Sequence, residues 1–297
     1  MITAAVSEML LATNQNTLQR FHVDSPLTEE ANKVIHKLPS LRDLWVVIDG
    51  PGSLPTLALP DLATIDVEYN DDHRWLQGFR GATFGKLTSV TFRSDSSSIG
   101  DFLEAFESVA LTTSIMATLT EFQFCTSSQW RPNCRSLLPF TQLKKLDIMF
   151  SCIHDCSSTI DDNIVTDLAR AMPKPEILRF GEAPCKIPTG VTAKGLAALA
   201  HYCLHLALLC IHFQVASLDS PEIPQVASGG ESTMPREDCA LTILEVGEIY
   251  VPEGSRSTVS LALLRIFPRL NYIKYASPGW AWLHIESGFP TTYPSLK

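Results

Sequence analysis

The stretch Gly195–Phe213, "GLAALAHYCLHLALLCIHF", runs nineteen residues without an Asp, Glu, Lys or Arg. By length it could cross a bilayer. Three features oppose that. His201, His205 and His212 are costly in hydrocarbon. No other stretch of similar length is as apolar. Above all, the periodicity changes partway. Leu196, Leu199, Ala200 and Cys203 fall at i, i+3, i+4 and i+7, one face of a helix. From Leu206 the apolar positions become Leu209, Ile211 and Phe213, a period of two as in a strand. A helix that turns into a strand within nineteen residues does not span a membrane. It has the form of one unit of an α/β repeat.

The kernel Leu206-x-x-Leu209-x-Ile211 recurs along the chain. It is found at Leu18/Phe21/Val23, Leu41/Leu44/Val46, Leu62/Ile65/Val67, Leu87/Val90/Phe92 and Leu119/Phe122/Phe124. It continues at Leu143/Leu146/Ile148, Pro175/Leu178/Phe180, Leu241/Leu244/Val246 and Leu270/Ile273/Tyr275. First positions are separated by 23, 21, 25, 32, 24, 32, 31, 35 and 29 residues, a mean of 28. Leucine-rich repeats run at about 20–29 residues per unit. One such match carries almost no information; ten at a quasi-regular spacing carry a great deal.

The spacing dictates the physics. Positions four and six of a kernel point to the same side of a strand, because side chains alternate. That side has to be covered, and the segments between kernels supply the cover. In "TEEANKVIHKLP" Ala31, Val34, Ile35 and Leu38 form one helical stripe, with Thr28 as N-cap and Pro39 as stop. Ile164, Leu168 and Met172 form another in "DDNIVTDLARAMP", and "TAKGLAALAHYC" and "TVSLALLRIFP" repeat the theme. Shorter intervals such as "PGSLPTLALPD" read as loops or 3₁₀ turns. Stacked units would share one continuous core. The expectation is a single domain over residues 1–297, built of about ten degenerate repeats. Residues 214–238, rich in Ser, Pro and Gly, read as an exposed loop insertion, and residues 277–297, with Trp280 and Trp282, as a C-terminal cap.

Thr192, Gly195, Leu196, Leu199, Ala200, Cys203, Leu206, Leu209 and Ile211 resemble the cysteine-containing class of leucine-rich repeat, T-x-x-G-L-x-x-L-A-x-x-C-x-x-L-x-x-L-x-I, typical of F-box proteins. "LPFTQLKKLDIMFS" with "DDNIVTDLARAMPKPEILRFG" is similar to fungal F-box-associated repeats. The resemblance covers nearly the whole chain as a degenerate repeat, though only one unit fits the stricter consensus closely. It implies an α/β solenoid, a horseshoe or arc with a parallel concave sheet and helices or loops on the convex side. It also implies non-catalytic protein recognition, such as substrate capture in a ubiquitin ligase subunit that reaches a cullin through the Skp adaptor. No F-box is legible ahead of Leu18, so the Skp and cullin expectation requires an F-box encoded upstream in a longer product, and the alternative is a stand-alone repeat scaffold or inhibitor with no ubiquitin role.

Composition narrows the partners. The formal net charge is −9, which argues against nucleic acid, since phosphate binding needs a basic face. The N-terminal "MITAAVSEMLLATNQNTLQRF" lacks a basic n-region and a long apolar core. Eight cysteines without disulfide-framework spacing read as reduced thiols of a cytoplasmic or nuclear protein. The candidate chemical motifs all have blander readings. Cys152, His154, Asp155 and Cys156 in "CIHDC" lack a second ligand pair and read as a loop rather than a zinc site. His201 and His205 lack the Glu of a zinc protease, with Tyr202 in its place. "GATFGKL", Gly81–Leu87, has glycines too close for a phosphate loop and Leu87 where Ser or Thr would hold magnesium. Asp161 and Asp162 read as helix-start residues. No enzyme, cofactor or metal is expected.

Alternation also says which residues face away from the core. The central outward column reads His22, Trp45, Asp66, Thr91, Gln123, Asp147, Arg179, Cys210, Glu245, Lys274, mixed and mostly polar. The column before it is polar in its first six members, Arg20 to Lys145, and then apolar: Ile177, Leu208, Ile243, Tyr272. These four, with Arg179, form the expected partner-docking surface, because a contiguous exposed apolar patch marks a binding site. The competing reading is that the 214–238 loop or the tail covers them.

Overall fold

In the computed structural model the opening stretch divides where its periodicity does. The helix Ala193–Tyr202 ends at Cys203, whose N–H donates to the Leu199 carbonyl, and the strand Leu208–Cys210 follows after a turn. The structure describes residues 8, 17–26, 28, 31, 34–35, 38–49, 59–69, 73–82, 84–94, 102–126, 133–150, 160–181, 190–215, 218, 238–246, 256–275, 282–286 and 289–292, some of them by backbone alone. No helix among them is long and apolar enough to cross a membrane.

Each of the ten kernels forms a strand, and the chain divides into two compact units, Met1–Leu143 and Lys144–Lys297. The first holds β1 (Arg20–Pro26), β2 (Asp43–Ile48), β3 (Thr64–Tyr69), β4 (Ser89–Ser94) and β5 (Glu121–Thr126). They pair in parallel, in chain order. The second holds β6 (Lys145–Phe150), β7 (Ile177–Phe180), β8 (Leu208–Cys210), β9 (Ile243–Val246) and β10 (Tyr272–Tyr275), again parallel and in chain order. Each unit is thus an α/β leucine-rich-repeat array. In the second, β11 (Trp282–Glu286) pairs antiparallel with β10, and β12 (Phe289–Thr292) antiparallel with β11. That hairpin occupies the edge of β10 within the region read as a cap; the side chains there lie outside the described residues.

Register follows the kernels. Position four pairs with position four: Leu44 with Ile65, Ile65 with Val90, Val90 with Phe122 in the first unit. In the second, Leu146, Leu178, Leu209, Leu244 and Ile273 align in the same way. The one irregularity among these pairs is a shift between His22 and Pro26 on β1. Within each unit a backbone device repeats at successive strand entries. The carbonyl at kernel position two accepts the N–H groups of positions two and three of the next kernel. Ala63 and Thr64 donate to Arg42, Thr88 and Ser89 to Ala63, and Ala207 and Leu208 to Glu176, at 2.8–3.1 Å. Within each unit a repeat therefore fixes the register of the next through obligatory backbone groups.

The inward residues are buried as the period of two requires. Leu62, Ile65, Val67, Leu87, Phe92, Phe122, Phe124, Leu146, Ile148, Leu206, Leu209 and Leu244 are all fully excluded from solvent. The cover comes from the connecting segments. In the first unit a 3₁₀ helix (His73–Phe79) and a helix (Phe102–Ala110) lay aromatic rings over β3–β5. Phe92 has Trp75, Phe102, Phe106 and Phe122 around it at centroid distances of 5.0–6.0 Å. Ala31, Val34 and Ile35 are helical and buried, Leu38 is buried in the following turn, and the Ala31 N–H donates to Thr28 Oγ1 at 3.2 Å. The expected stripe and cap are therefore present.

In the second unit two helices stack through a carboxylate. Asp161 caps the helix Asp162–Ala171 by accepting from the Ile164 N–H at 2.8 Å. Its neighbour Asp162 reaches the next repeat. It accepts from the Thr192 N–H at 2.8 Å, from the Thr192 hydroxyl at 2.6 Å and from the Gly195 N–H at 2.9 Å. A Cβ on Gly195 would stand 2.6 Å from Asp162 Oδ1, so only glycine admits the carboxylate. The Thr and Gly of the repeat pattern thus share one task. Its Cys has another. The Cys203 thiol lies 3.8 Å from the Ala169 carbonyl and 3.7 Å from that of Met172, at the C-terminal end of the preceding helix. Burial raises its pKa above the ordinary thiol value, which keeps it a neutral donor rather than a nucleophile.

Candidate functional site

On the second unit the predicted row is assembled. Ile177 pairs with Leu208, Leu208 with Ile243, and Ile243 with Tyr272. Four apolar side chains therefore lie side by side at about the 4.8 Å strand spacing. Their sequence neighbours Leu178, Leu209, Leu244 and Ile273 fill the opposite, buried face. Ile177, Leu208 and Ile243 are half-buried, and Tyr272 is 40% exposed, one of the large hydrophobic side chains open to solvent. Of the loop proposed to cover them, residues 219–237 lie outside the described residues; Leu218, at its start, is buried.

The adjacent column is a charge ladder. Asp147, Arg179, Cys210 and Glu245 are register partners, and Lys274 pairs with Glu245. Arg179 Nη1 lies 3.5 Å from Asp147 Oδ2, its Nε 3.8 Å from Glu245 Oε2, and Lys274 Nζ 3.0 Å from Glu245 Oε1. Signs alternate across the sheet, so the ladder neutralises itself. Arg179 is held from both sides and remains about one-third exposed. Alternation assigns this column to the outward face, but it does not make every member accessible. Asp147 and Cys210 are buried. Asp147 Oδ1 has no hydrogen-bond partner among the described residues.

Burial lifts the Asp147 carboxyl above its ordinary value, against the pull of Arg179 and Lys145 and with a smaller push from Glu245. A raised native pKa means the folded state holds this proton more tightly than the unfolded state. The associated stability is complete below the unfolded pKa and is lost as pH rises through the native one. In acid urea titrations, wild type is expected to lose stability relative to Asp147→Asn as pH rises from about 4. A gain over that window would mean that the Arg179 pairing outweighs burial.

The outward face of the first unit carries a different feature. A hollow of about 590 Å³ opens over β1–β4, with Trp45, Asp66, Glu68 and Arg93 in its lining. Arg20 Nε pairs with Asp43 Oδ2 at 2.8 Å and Arg93 Nη1 with Asp66 Oδ1 at 2.6 Å. The His22 imidazole stands edge-on to the Trp45 ring. The central column is mixed in sequence, and nothing in it marks this hollow; what makes it is the placement of one indole among residues drawn from four strands.

The other motifs resolve as scaffold where they are described. His201 and Tyr202 close a helix, His205 is exposed, and Cys203 is occupied as above. Arg170 Nε donates to the Tyr202 hydroxyl at 3.1 Å. Gly81 adopts φ 68° in a turn, Lys86 pairs with Asp61 at 2.7 Å, and Leu87 is fully buried. "CIHDC" lies outside the described residues. Among the described residues no group of three metal-ligating side chains comes together, and the five described cysteines are free thiols.

No protein-family model matches the chain, and no curated protein matches it. Among solved structures it is similar to the crystal structure of the Rad7 and Elc1 complex in yeast. That likeness has 13% identity over 92% of this chain and 80% of that one, with a TM-score of 0.37.

Proposed function

We propose that the chain is a non-catalytic protein-recognition module and that Ile177, Leu208, Ile243 and Tyr272, with Arg179 beside them, dock its partner. One observation carries this reading: four apolar side chains sit in register on neighbouring parallel strands, facing away from the core, with Tyr272 40% exposed at the end of the row. An aromatic residue beside a guanidinium is the composition favoured at binding hot spots. Arg179 is already balanced by Asp147 and Glu245, so it offers a partner planar contact and hydrogen bonds rather than an unmet charge.

The finer reading is a substrate-binding part of an F-box-type ubiquitin ligase subunit, working in the cytoplasm or nucleus. Its support is the repeat class, in which Thr192, Gly195 and Cys203 hold the positions of the cysteine-containing pattern. The competing reading is a stand-alone scaffold or inhibitor. Affinity capture with the wild-type chain and with Leu208→Asp/Ile243→Asp addresses both. Wild type is expected to retain a protein that the double variant loses while its circular dichroism is unchanged. Retention by both would remove the docking role. Recovery of the Skp adaptor and a cullin favours the ligase role, and their absence beside a captured partner favours the scaffold.

A further inference from the structure

We propose that the hollow over β1–β4 is a second recognition site, taking one cationic side chain, arginine or lysine, from a basic peptide segment of a protein partner. It lies wholly in the first unit and does not depend on the apolar row of the second. The inference starts from a charge balance. The lining holds three carboxylates, Asp43, Asp66 and Glu68, two guanidinium groups, Arg20 and Arg93, and the His22 imidazole, which lies 3.3 Å from Asp24 Oδ1. Arg20 is taken by Asp43 and Arg93 by Asp66. Glu68 is left with no ion-pair partner among the described residues.

Register makes that surplus specific. Arg93 lies directly across from Glu68 on the neighbouring strand, where a cross-strand pair would be expected. Its Nη1 instead sits 2.6 Å from Asp66, one diagonal away. Glu68 is half-buried, so its charge is only partly hydrated. The Asp66 carboxyl is lifted above its ordinary value by burial in spite of Arg93, with a smaller push from Glu68 and a smaller pull from His22. With Arg20 and Arg93 each taken by an aspartate, the lining keeps one carboxylate more than its guanidinium groups.

The remaining lining suits the same guest. Trp45 pairs with Asp66 in register and stands diagonal to Glu68 on the same face. An indole and a carboxylate on two sides of a cavity make a site for a cation with an apolar stem. About 590 Å³ is ample for one long side chain and its flanking backbone. An anionic guest would meet Glu68 unpaired and two further carboxylates.

The test uses the full chain labelled with 5-fluorotryptophan, with the Trp45 resonance assigned through Trp45→Phe. Acetyl-Gly-Arg-Gly-amide is titrated beside its citrulline analogue, which has nearly the same shape without the charge. The arginine peptide is expected to shift the Trp45 fluorine resonance saturably and leave the other tryptophans unmoved. Glu68→Gln, at a half-buried position and with an unchanged circular dichroism spectrum required as the control, is expected to weaken binding about fivefold or more. Three results would overturn the proposal: no saturable shift up to roughly tens of millimolar peptide, equal binding of the citrulline peptide, or unchanged affinity in Glu68→Gln. Leu208→Asp/Ile243→Asp is expected to bind the arginine peptide normally, so failure at one surface is separable from failure at the other.

Discussion

Phe92→Ala is expected to cost about 3–5 kcal/mol of unfolding free energy, the range for deleting a buried aromatic from a close-packed core. Phe92 sits at position six of the fourth kernel and is fully buried. Its ring is met by Trp75 from the 3₁₀ helix, by Phe102 and Phe106 from the helix that follows its own strand, and by Phe122 from the next strand. The edge-to-face geometry at Phe102, 5.0 Å and 71°, and at Phe106, 5.4 Å and 72°, adds to simple area burial. Removing the ring leaves a cavity that four rigid rings from three different segments cannot close. Urea denaturation of the full chain measures the effect. A loss below about 1 kcal/mol would mean that these rings are not packed as a unit.

Asp162→Ala is expected to cost about 2–4 kcal/mol. The carboxylate accepts three hydrogen bonds from a single turn of the following repeat, two of them from backbone N–H groups at the start of a helix. Without it those donors lose a charged acceptor in a part-buried place, and the loss of each is costlier than the bond's net worth. Asp162→Asn separates charge from shape. Both backbone N–H groups bond to Oδ1, which an amide oxygen can replace, while the amide nitrogen faces the Thr192 hydroxyl, which can accept. The amide variant is therefore expected to lose about half as much, since charge-assisted bonds are roughly twice as strong as neutral ones. Equal losses in the two variants would mean that the charge carries the whole effect and the retained shape recovers nothing, and no loss in Asp162→Asn would mean that geometry alone matters.

These two residues mark where sequence reading stops. The strands are legible because each kernel is a local pattern: Leu209 and Ile211 face inward for the same reason that Leu208 faces outward. Caps are legible because they are local too, as at Thr28 and Asp161. Asp162 reads as another helix-start residue, and it is one. Its partners, however, lie 30 and 33 residues away, across a repeat boundary that no local pattern encodes. The ring cluster around Phe92 likewise depends on lateral neighbours. Solvent access is the other gap. Alternation puts Asp147 and Cys210 on the outward side, yet both are buried, because access depends on what packs above a strand and not on the strand's own period. The apolar row from Ile177 to Tyr272 could be written down from the kernels alone. The hollow at Trp45 and Glu68 could not, since it depends on which of two carboxylates Arg93 chooses.

The claim beneath all of this is that adjacent residues of each kernel face opposite sides of a parallel strand. Leu208 and Leu209 test it most directly: same side chain, same strand, one half-buried and one fully buried. Urea unfolding of the two single aspartate variants is the measurement. Leu208→Asp is expected to stay within about 1 kcal/mol of wild type, as a surface substitution does. Leu209→Asp is expected to lose more than about 4 kcal/mol or fail to fold, because it buries an unpaired charge. Equal losses, or a greater loss at Leu208, would contradict the alternation and remove both proposed surfaces with it.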